Sequence, residues 1–284
     1  MANQTTPTEA AVFNPALISK EAALYTMPKL EFGNSVNRKL EAEAKIGKSI
    51  DLPFITRLTA TQLSATAAIT AVTYESPTES KVTISINQWW YTAFNVNDLE
   101  VALENQDLEG LYRKSGMDGL AVKIDADLAS LAAGCSVYAG TLAVSLTDDN
   151  VLSAKNSLDN YDVPKEDRFF FFHPTQGIEF FKVDKYVNAM YRGTKPTETG
   201  KIGDLYGMTW VETTQVTSNT GGHDNLVFQR DYMGLVMRRE PYVKQLDNPN
   251  VMAKQVVIAG IWGKAELRDA AAPIGYFGFW LKGL

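Results

Sequence analysis

An uncharged segment in the first third of the chain restricts the possible folds more than any other feature. Residues 58–74 contain no charged side chain and consist mainly of Thr, Ala, Ser and scattered apolar residues. Such a segment has too little apolar surface to form a core of its own and too few charges to be well solvated. We therefore expect it to lie on another surface, and a second copy of this chain is the expected one.

The sequences on both sides of this segment predict two β-strands. Residues 82–87 alternate apolar and polar without interruption, the pattern of a strand with one covered face. Residues 49–52 begin the opposite arm in the same way, and Pro53 restricts that strand to a sheet edge or a bend. Residues 48–90 thus predict a projecting hairpin, with an ordinary sheet inside a compact domain as the alternative. The residues expected to contact another copy are Leu58, Leu63, Ile69, Val72 and Tyr74.

Length and composition indicate a globular protein. The 284 residues are 45% hydrophobic and 21% charged, which suffices for one or two closely connected domains with a substantial core. No apolar run approaches the ~18 residues of a membrane span and no secretory signal is recognisable, so we expect a cytosolic product without a membrane partner. The net charge of −6 argues against tight nucleic-acid binding. The only cysteine, Cys135, has small neighbours and is expected to be a packed thiol.

A long amphipathic helix is predicted over residues 106–133, with a length of ~40 Å. Because three glycines lie inside it, we expect a break near Gly110 or a close contact near Gly119. Asp125 and Asp127 are interpreted as solvated charges, since residues two apart on a helix point in different directions and cannot bind one ion together. The core face is expected to consist of apolar residues at spacings of three and four: Met117, Leu120, Ile124, Leu128 and Leu131.

Short helices and strands alternate beyond this helix. Residues 168–172 and 208–213 predict strands, and Pro174 is expected to begin a short helix. This alternation is typical of a compact α/β layer. Two later strands, at 235–240 and 251–264, are expected to return and pair beneath the long helix.

The search for catalytic or metal-binding residues finds no site. His173 and His223 have no Cys, Asp or Glu partner at metal-ligand spacing, so we assign them structural or surface roles. Helix caps and turns explain the aspartates between 148 and 162 more simply than a cation does. The aromatic run 89–91 is interpreted as an anchor at the base of a strand pair. We therefore predict no catalytic residues, no cofactor and no metal.

The order of these elements resembles that of a known family. Residues 118–128 match its spine-helix position, 163–174 open its axial domain, 200–207 precede the next strand, and 259–268 look like its closing strand. The family comprises the major capsid proteins of tailed bacteriophages, whose Hong Kong 97-type fold is shared with encapsulins. The resemblance covers roughly residues 49–268 and depends on the order of the elements more than on any single motif.

The resemblance implies an α+β capsid fold in five parts. These are an N-terminal arm (1–47), an extended β-hairpin loop (48–90), a peripheral domain with a long spine helix (91–141), an α/β axial domain (142–229), and return strands of the peripheral domain with the C-terminus (230–284). It implies pentamers and hexamers that form an icosahedral shell around double-stranded DNA, held without sequence-specific binding. The implied location is the virion, after assembly in the host bacterial cytoplasm.

The resemblance also implies partners and leaves two alternatives open. The arm is short for a fused scaffolding segment, which implies a separate scaffolding protein; a portal protein and a cement or decoration protein are further implied partners. An encapsulin-like shell around a protein cargo has the same fold. An α/β enzyme with an unrecognised site is the other alternative.

We predict that assembled particles contain no covalent joints between subunits. Some family members join subunits through a lysine near the hairpin tip, but residues 58–80 contain no lysine and the chain has one cysteine. Particles boiled in detergent with reductant should give a single band near 31.3 kDa on a gel. A ladder of larger bands would contradict this, and Lys48 and Lys81 would be the first residues to test.

Overall fold

The structure, a computed structural model, describes residues 31–42, 47–62, 72, 74–99, 108–187, 200, 202–219, 221–250, 252–270 and 274–283. Most of the predicted N-terminal arm therefore lies outside the described residues. The described part begins with a short helix, α1 (Phe32–Ser35). No helix among the described residues is both long and apolar enough to span a membrane.

A three-stranded antiparallel sheet carries the long helix. Its strands are β3 (Gln88–Asn97), β9 (Met233–Asn248) and β10 (Ala253–Glu266), in the order β3-β10-β9. The long helix, α2 (Leu108–Ala129), packs on one face and is continued by a 3-10 turn (Ser130–Gly134). The predicted return of two late strands beneath the long helix is confirmed, although β9 is much longer than the predicted 235–240.

A six-stranded mixed sheet forms the second layer. The order β4-β13-β8-β5-β6 places β8 (Gly222–Gln229) at the centre, with the short β7 (Ser218–Asn219) also paired to it. The remaining strands are β4 (Tyr138–Gly140), β5 (Arg168–Phe172), β6 (Thr209–Glu212) and β13 (Gly278–Gly283). Three helices follow in the same region: α3 (Asp148–Asn160), α4 (Pro174–Phe180) and α5 (Asp184–Val187). A tiny separate ladder joins β11 (Asp269–Ala270) to β12 (Gly275–Tyr276).

The C-terminal strand joins the six-stranded sheet. The predicted part 230–284 combines return strands of the peripheral domain with the C-terminus, and within it β13 inserts between β4 and β8 of the six-stranded sheet. Phe279 and Leu281 lie in the core that β5 shares with α3 and α4. A six-residue strand carries no signal for which of two sheets it will join, because that choice depends on partners distant in sequence.

The core beneath α2 contains most, but not all, of the residues expected there. Leu120, Ile124 and Leu128 are at most 2% exposed, and Leu131 packs at the edge of the same cluster. Met117 is 40% exposed, so its assignment to the core is wrong. It lies one helical turn nearer the N-terminus of α2, where it lines a cavity of about 200 Å³ open to solvent instead of packing on the sheet.

Two aspartates on α2 are buried, which corrects their interpretation as solvated charges. The Asp125 carboxylate accepts hydrogen bonds from the backbone N–H groups of Glu31 (2.8 Å) and Gly33 (3.0 Å) and so ties α1 to α2. Burial nevertheless raises the pKa of Asp125 above its usual value. Asp127 points the other way, accepting from the Trp262 indole at 3.2 Å and pairing with Lys123 at 2.8 Å. The two carboxylates hold different elements to the helix, consistent with their two-residue spacing.

A close approach of helix and sheet occurs at Gly116, not at Gly119. A Cβ atom at Gly116 would lie 2.8 Å from Ile258 Cδ1 and 2.9 Å from Thr92 Oγ1, and the Thr92 hydroxyl donates to the Gly116 carbonyl oxygen. At Gly119 the nearest atom would lie at an ordinary 3.5 Å. Gly110 is the third residue of α2, and residues 100–107 lie outside the described residues, so the alternative of a break near Gly110 stays a prediction.

We predict that Ile124→Asp and Met117→Asp differ sharply although the two residues lie on one face of α2. An unpaired carboxylate at Ile124 would be buried, so the free energy of unfolding should fall by roughly 3 kcal/mol or more. At Met117 the carboxylate reaches solvent, and the loss should stay under about 1.5 kcal/mol. Denaturant unfolding of the unassembled subunit measures both. Equal losses would show that the helical register is wrong.

We predict opposite signs for Gly116→Ala and Gly119→Ala. The added methyl group clashes with Ile258 and Thr92 at Gly116, which should cost roughly 1–2 kcal/mol after the gain in helix propensity. At Gly119 the methyl group fits, so the gain of up to about 1 kcal/mol should remain. The same unfolding measurement compares them. Stabilisation by both substitutions would contradict the close helix–sheet contact.

Candidate functional site

The predicted hairpin is present as a separate two-stranded ribbon. Its strands are β1 (Ser49–Ile55) and β2 (Glu79–Ser85), paired antiparallel from Ser49↔Ser85 to Ile55↔Glu79. Pro53 lies within β1 opposite Lys81 and does not end the strand, because a two-stranded ribbon has an outer edge where its missing N–H group is tolerated. Asp51 bridges the strands, accepting from Lys81 at 2.8 Å and from Thr83 at 2.6 Å.

The root of the hairpin is fixed to the three-stranded sheet. Ile50 and Ile84 are buried in a small cluster with Val236 and Leu267. A Cβ atom at Gly263 of β10 would lie 2.8 Å from the Ser85 carbonyl oxygen, so the backbones of the hairpin and β10 touch directly. This contact sets the direction in which the hairpin leaves the body.

The apolar residues farther along the hairpin are exposed. Leu58 is 61% exposed, Val72 56% and Tyr74 90%. Leu63 and Ile69, the other two expected contact residues, lie outside the described residues. Thr59 and Glu75 hold the two arms together through a 2.9 Å hydrogen bond. Apolar side chains clustered on one exposed segment are typical of a protein–protein contact, so contact with another copy stays a prediction that the exposure supports.

A second exposed apolar surface lies on the three-stranded sheet. Thr92 contacts Gly116 and Phe94 contacts Tyr112, so these residues of β3 face the long helix and the alternate residues face away. We call the opposite side of this sheet the outer face. By strand register its rows are Trp89–Ile261–Arg239, Tyr91–Ala259–Tyr242 and Ala93–Val257–Lys244.

The outer face combines aromatic rings with positive charge. Trp89 is 71% exposed and Tyr91 68%, while the Arg239 guanidinium lies 3.5 Å from the centre of the Tyr242 ring. Residues 89–91 were predicted to anchor the base of a strand pair, and this prediction is therefore wrong for Trp89 and Tyr91. Trp90 faces the other way, with the Lys123 ammonium 4.2 Å above its ring. The three rows contain Arg239 and Lys244 but no carboxylate.

The edge strand of this sheet beside the outer face is β3. Among the described residues, β3 pairs with β10 alone, which leaves its other edge without a strand. Its ten residues contain neither a charge nor a proline, the usual devices that prevent edge pairing. The aromatic face and this edge together form a surface suited to contact with protein.

Two of the four aspartates considered for a cation, Asp148 and Asp159, have ordinary structural partners. Asp148 begins α3 and accepts from Tyr186 at 2.5 Å, Tyr206 at 2.6 Å and Lys185 at 2.7 Å. Burial opposes ionisation of Asp148, but these bonds lower its pKa below the usual value. Asp159 pairs with the buried Arg168 at 2.7 Å. Within the described ranges, no group of three or more His, Cys, Asp or Glu side chains could hold a metal ion.

The cysteine is buried as predicted, whereas the two histidines form a contact that was not predicted. Cys135 is 4% exposed, and burial raises the pKa of its thiol to about 12, which confirms the packed thiol. His173 and His223 stack on each other with ring centres 3.5 Å apart. No sequence pattern predicts this pair, because the two residues are far apart in the chain and meet only through the pairing of β5 with β8.

Comparison with solved structures shows which fold this is. A chain of Mycobacterium phage Che8 superposes with a TM-score of 0.78 at 19% identity, covering 95% of this chain and 97% of that chain. A capsid chain of cyanophage P-SCSP1u gives a TM-score of 0.72 at 17% identity, with coverage of 93% and 91%. A chain of the bacteriophage PhiM1 mature capsid gives 0.63 at 12% identity, with coverage of 83% and 82%.

These similarities place the chain in the phage-capsid fold class. The α+β capsid fold expected from the order of the sequence elements is thereby confirmed. No family model matches the chain, and no curated protein matches it. The likeness therefore lies in the three-dimensional fold, which persists at identities of 19% and below.

We predict that deletion of residues 58–74 leaves a folded subunit that cannot assemble. The root of the hairpin is buried independently of this segment, while the exposed Leu58, Val72 and Tyr74 are lost as contacts. Circular dichroism should be close to that of the full chain, and particle sizing should detect no shells. A normal yield of shells from the deleted chain would contradict the role given to the hairpin.

Proposed function

We propose that this chain is the major capsid protein of a tailed bacteriophage. The observation that carries the proposal is the superposition of nearly the whole chain on phage chains of similar length, two of them from capsid structures. The hairpin supports it independently, since an exposed apolar projection has no use in an isolated soluble monomer. The role is structural, and the chain needs no catalytic residue or cofactor to perform it.

We propose that the hairpin of one copy lies on the outer face of the next. The two surfaces are complementary, because the hairpin presents Leu58, Val72 and Tyr74 while the outer face presents Trp89 and Tyr91. The returning arm carries the exposed acids Glu75 and Glu79, and the three rows of the outer face contain two cations and no carboxylate. Copies that each bear six net negative charges need such locally matched surfaces to associate.

This contact would be heterologous, since the donor and acceptor surfaces are different parts of one chain. A heterologous contact forms a closed ring when its rotation closes. Pentamers and hexamers that share one contact in slightly different geometries then build an icosahedral shell. Each buried apolar side chain contributes about 1.5–3 kcal/mol, so a single joint is modest and the many joints of a closed shell act together.

The remaining assignments follow from this role. The shell would enclose double-stranded DNA without reading its sequence, in keeping with the acidic net charge. A separate scaffolding protein would guide assembly in the host bacterial cytoplasm, a portal protein would occupy one vertex, and a cement or decoration protein is a further partner to seek. The structural neighbours reported above come from phages, which favours a virion shell over a cargo compartment.

Electron microscopy of the purified chain tests the proposed function directly. Negatively stained samples, with and without a scaffolding protein from the same genome, should contain rings and closed shells. Particles from the native source should contain this chain as the most abundant protein. A chain that stays monomeric in both preparations and is absent from purified virions would overturn the proposal.

Mixing two assembly-deficient variants tests the contact between hairpin and outer face. The chain without residues 58–74 keeps the outer face, and the Trp89→Ala, Tyr91→Ala double variant keeps the hairpin. Each should remain monomeric alone, whereas the mixture should form pairs of about twice the subunit mass, because one complete joint is restored. Light scattering coupled to size exclusion measures this at concentrations where the unmodified chain assembles.

Two controls separate the possible failures of this experiment. The first control adds Trp90→Ala to the chain that lacks residues 58–74. Because the Trp90 ring lies on the helix side of β3, this chain should still form pairs with the Trp89→Ala, Tyr91→Ala variant, whose hairpin is intact. Absence of pairs in every mixture, with shells from the unmodified chain, would reject the outer face as acceptor and leave the capsid function intact.

A further inference from the structure

The two histidines of the chain meet at one end of the six-stranded sheet. His173 follows β5 and precedes the first residue of α4, while His223 belongs to the adjacent strand β8. Their rings are nearly parallel, with an interplanar angle of 14° and centres 3.5 Å apart. Neutral imidazole rings can stack at this distance, whereas two imidazolium rings would repel each other across it.

One of the rings acts as a helix cap that requires the neutral form. His173 Nδ1 accepts a hydrogen bond from the Thr175 backbone N–H at 3.3 Å and lies 2.9 Å from the Thr175 hydroxyl. A nitrogen that accepts a hydrogen bond cannot also carry a proton. Protonation at Nδ1 would therefore remove the cap, and it would place a positive charge at the N-terminus of α4, where the backbone N–H groups already point.

The second ring lies where three strands come together. His223 pairs in register with Gly283 of the C-terminal strand β13 and with Ser218 of β7, and its Nδ1 is 3.3 Å from the Ser218 hydroxyl. Neither of these facing residues is charged. Because the His223 backbone pairs with both strands, displacement of His223 would disturb the ends of β13 and β7 as well as the start of α4.

Burial favours the neutral form of both rings. Burial lowers the pKa of His173, and the charge of His223 lowers it further. Burial also lowers the pKa of His223, against the opposing effect of neighbouring Asp224. Burial also raises the pKa of Asp224, which pairs in register with Lys282 and accepts a hydrogen bond from the Trp280 indole at 3.2 Å. Glu212 on β6, the other acid beside α4, is also held toward its neutral form by burial.

We propose that the His173–His223 stack is an acid-sensitive latch that holds the start of α4 and the end of the C-terminal strand to β8 only while both rings are neutral. On acidification the rings separate, the cap on α4 is lost, and the ends of β7 and β13 loosen. The rest of the sheet stays paired because β5 and β8 continue beyond the histidines into the core. This latch is independent of the proposed assembly contact, which involves the other sheet.

The direction of the pH effect follows from the lowered pKa values. The unfolded chain binds protons near pH 6.5 and the folded chain only at lower pH, so the unfolded state holds more protons in the interval between them. The stabilisation is complete above about pH 6.5 and is lost as the pH falls toward the folded pKa values. Burial raises the pKa of Glu266 to about 7, so Glu266 titrates in the same pH range and its contribution to stability grows as the pH falls. The free energy of unfolding of the whole chain therefore cannot report the latch by itself.

Nuclear magnetic resonance of the unassembled subunit tests the latch, since a chain with two histidines gives two imidazole signals. Both should titrate below pH 6.5, and His173→Asn should move the remaining His223 signal to a higher pKa. Asn retains the cap without titrating. Protection of the Thr175 amide against exchange, corrected for intrinsic rate, should fall by up to about tenfold for each pH unit between about pH 6.5 and the folded pKa values in the full chain.

The variants decide between a latch and two independent surface histidines. In His173→Asn the acid-dependent loss of Thr175 protection should disappear. In His223→Phe, which keeps a stacked ring without charge, the pKa of His173 should rise and the acid-dependent loss of Thr175 protection should become smaller. Titration of both histidines at 6.5 with no effect of either substitution on the other would overturn the proposal. Unchanged acid-dependent loss of Thr175 protection in His173→Asn would overturn it as well.

Discussion

The contact between the long helix and the three-stranded sheet is the constraint on which the rest of the structure depends. Its closest point is Gly116, where the absence of a side chain lets the helix backbone approach Thr92 and Ile258. The same contact fixes β3 and β10, and β10 in turn touches the root of the hairpin through Gly263. The helix therefore sets the direction of the hairpin without contacting its exposed apolar residues.

Burying one face of the sheet under the helix leaves the opposite face open. Because side chains alternate along β3, the residues that pack on the helix necessarily place Trp89 and Tyr91 on the other side. A strand of this kind is stable within the subunit but exposes large aromatic rings to solvent, at 71% and 68%. The alternation of side chains along β3 thus explains both the packing on the helix and the exposed face proposed to contact another copy.

Local patterns in the sequence determined the kinds of elements and their order. The alternation at 82–87, the apolar spacing from Leu120 to Leu128, and the uncharged segment 58–74 each require only neighbouring residues to be interpreted. Those interpretations gave the hairpin, the long helix with three of its core residues, the buried strand Arg168–Phe172 and the returning strands. Leu58, Val72 and Tyr74 were selected as exposed contact residues because they are apolar and lie in the uncharged segment 58–74.

Only the tertiary structure decided the features that depend on residues distant in the chain. Asp125 and Asp127 have an unremarkable helical spacing and became buried because α1 and Trp262 supply donors from far away. Met117 shares the spacing of its buried neighbours, but its side chain lines a cavity open to solvent beside Met237 and stays 40% exposed. The insertion of β13 beside β8 and the stacking of His173 on His223 likewise depend on strand pairing across long separations. Sequence periodicity shows which face of an element is apolar, whereas the partner that covers that face is chosen by the packing of the whole chain.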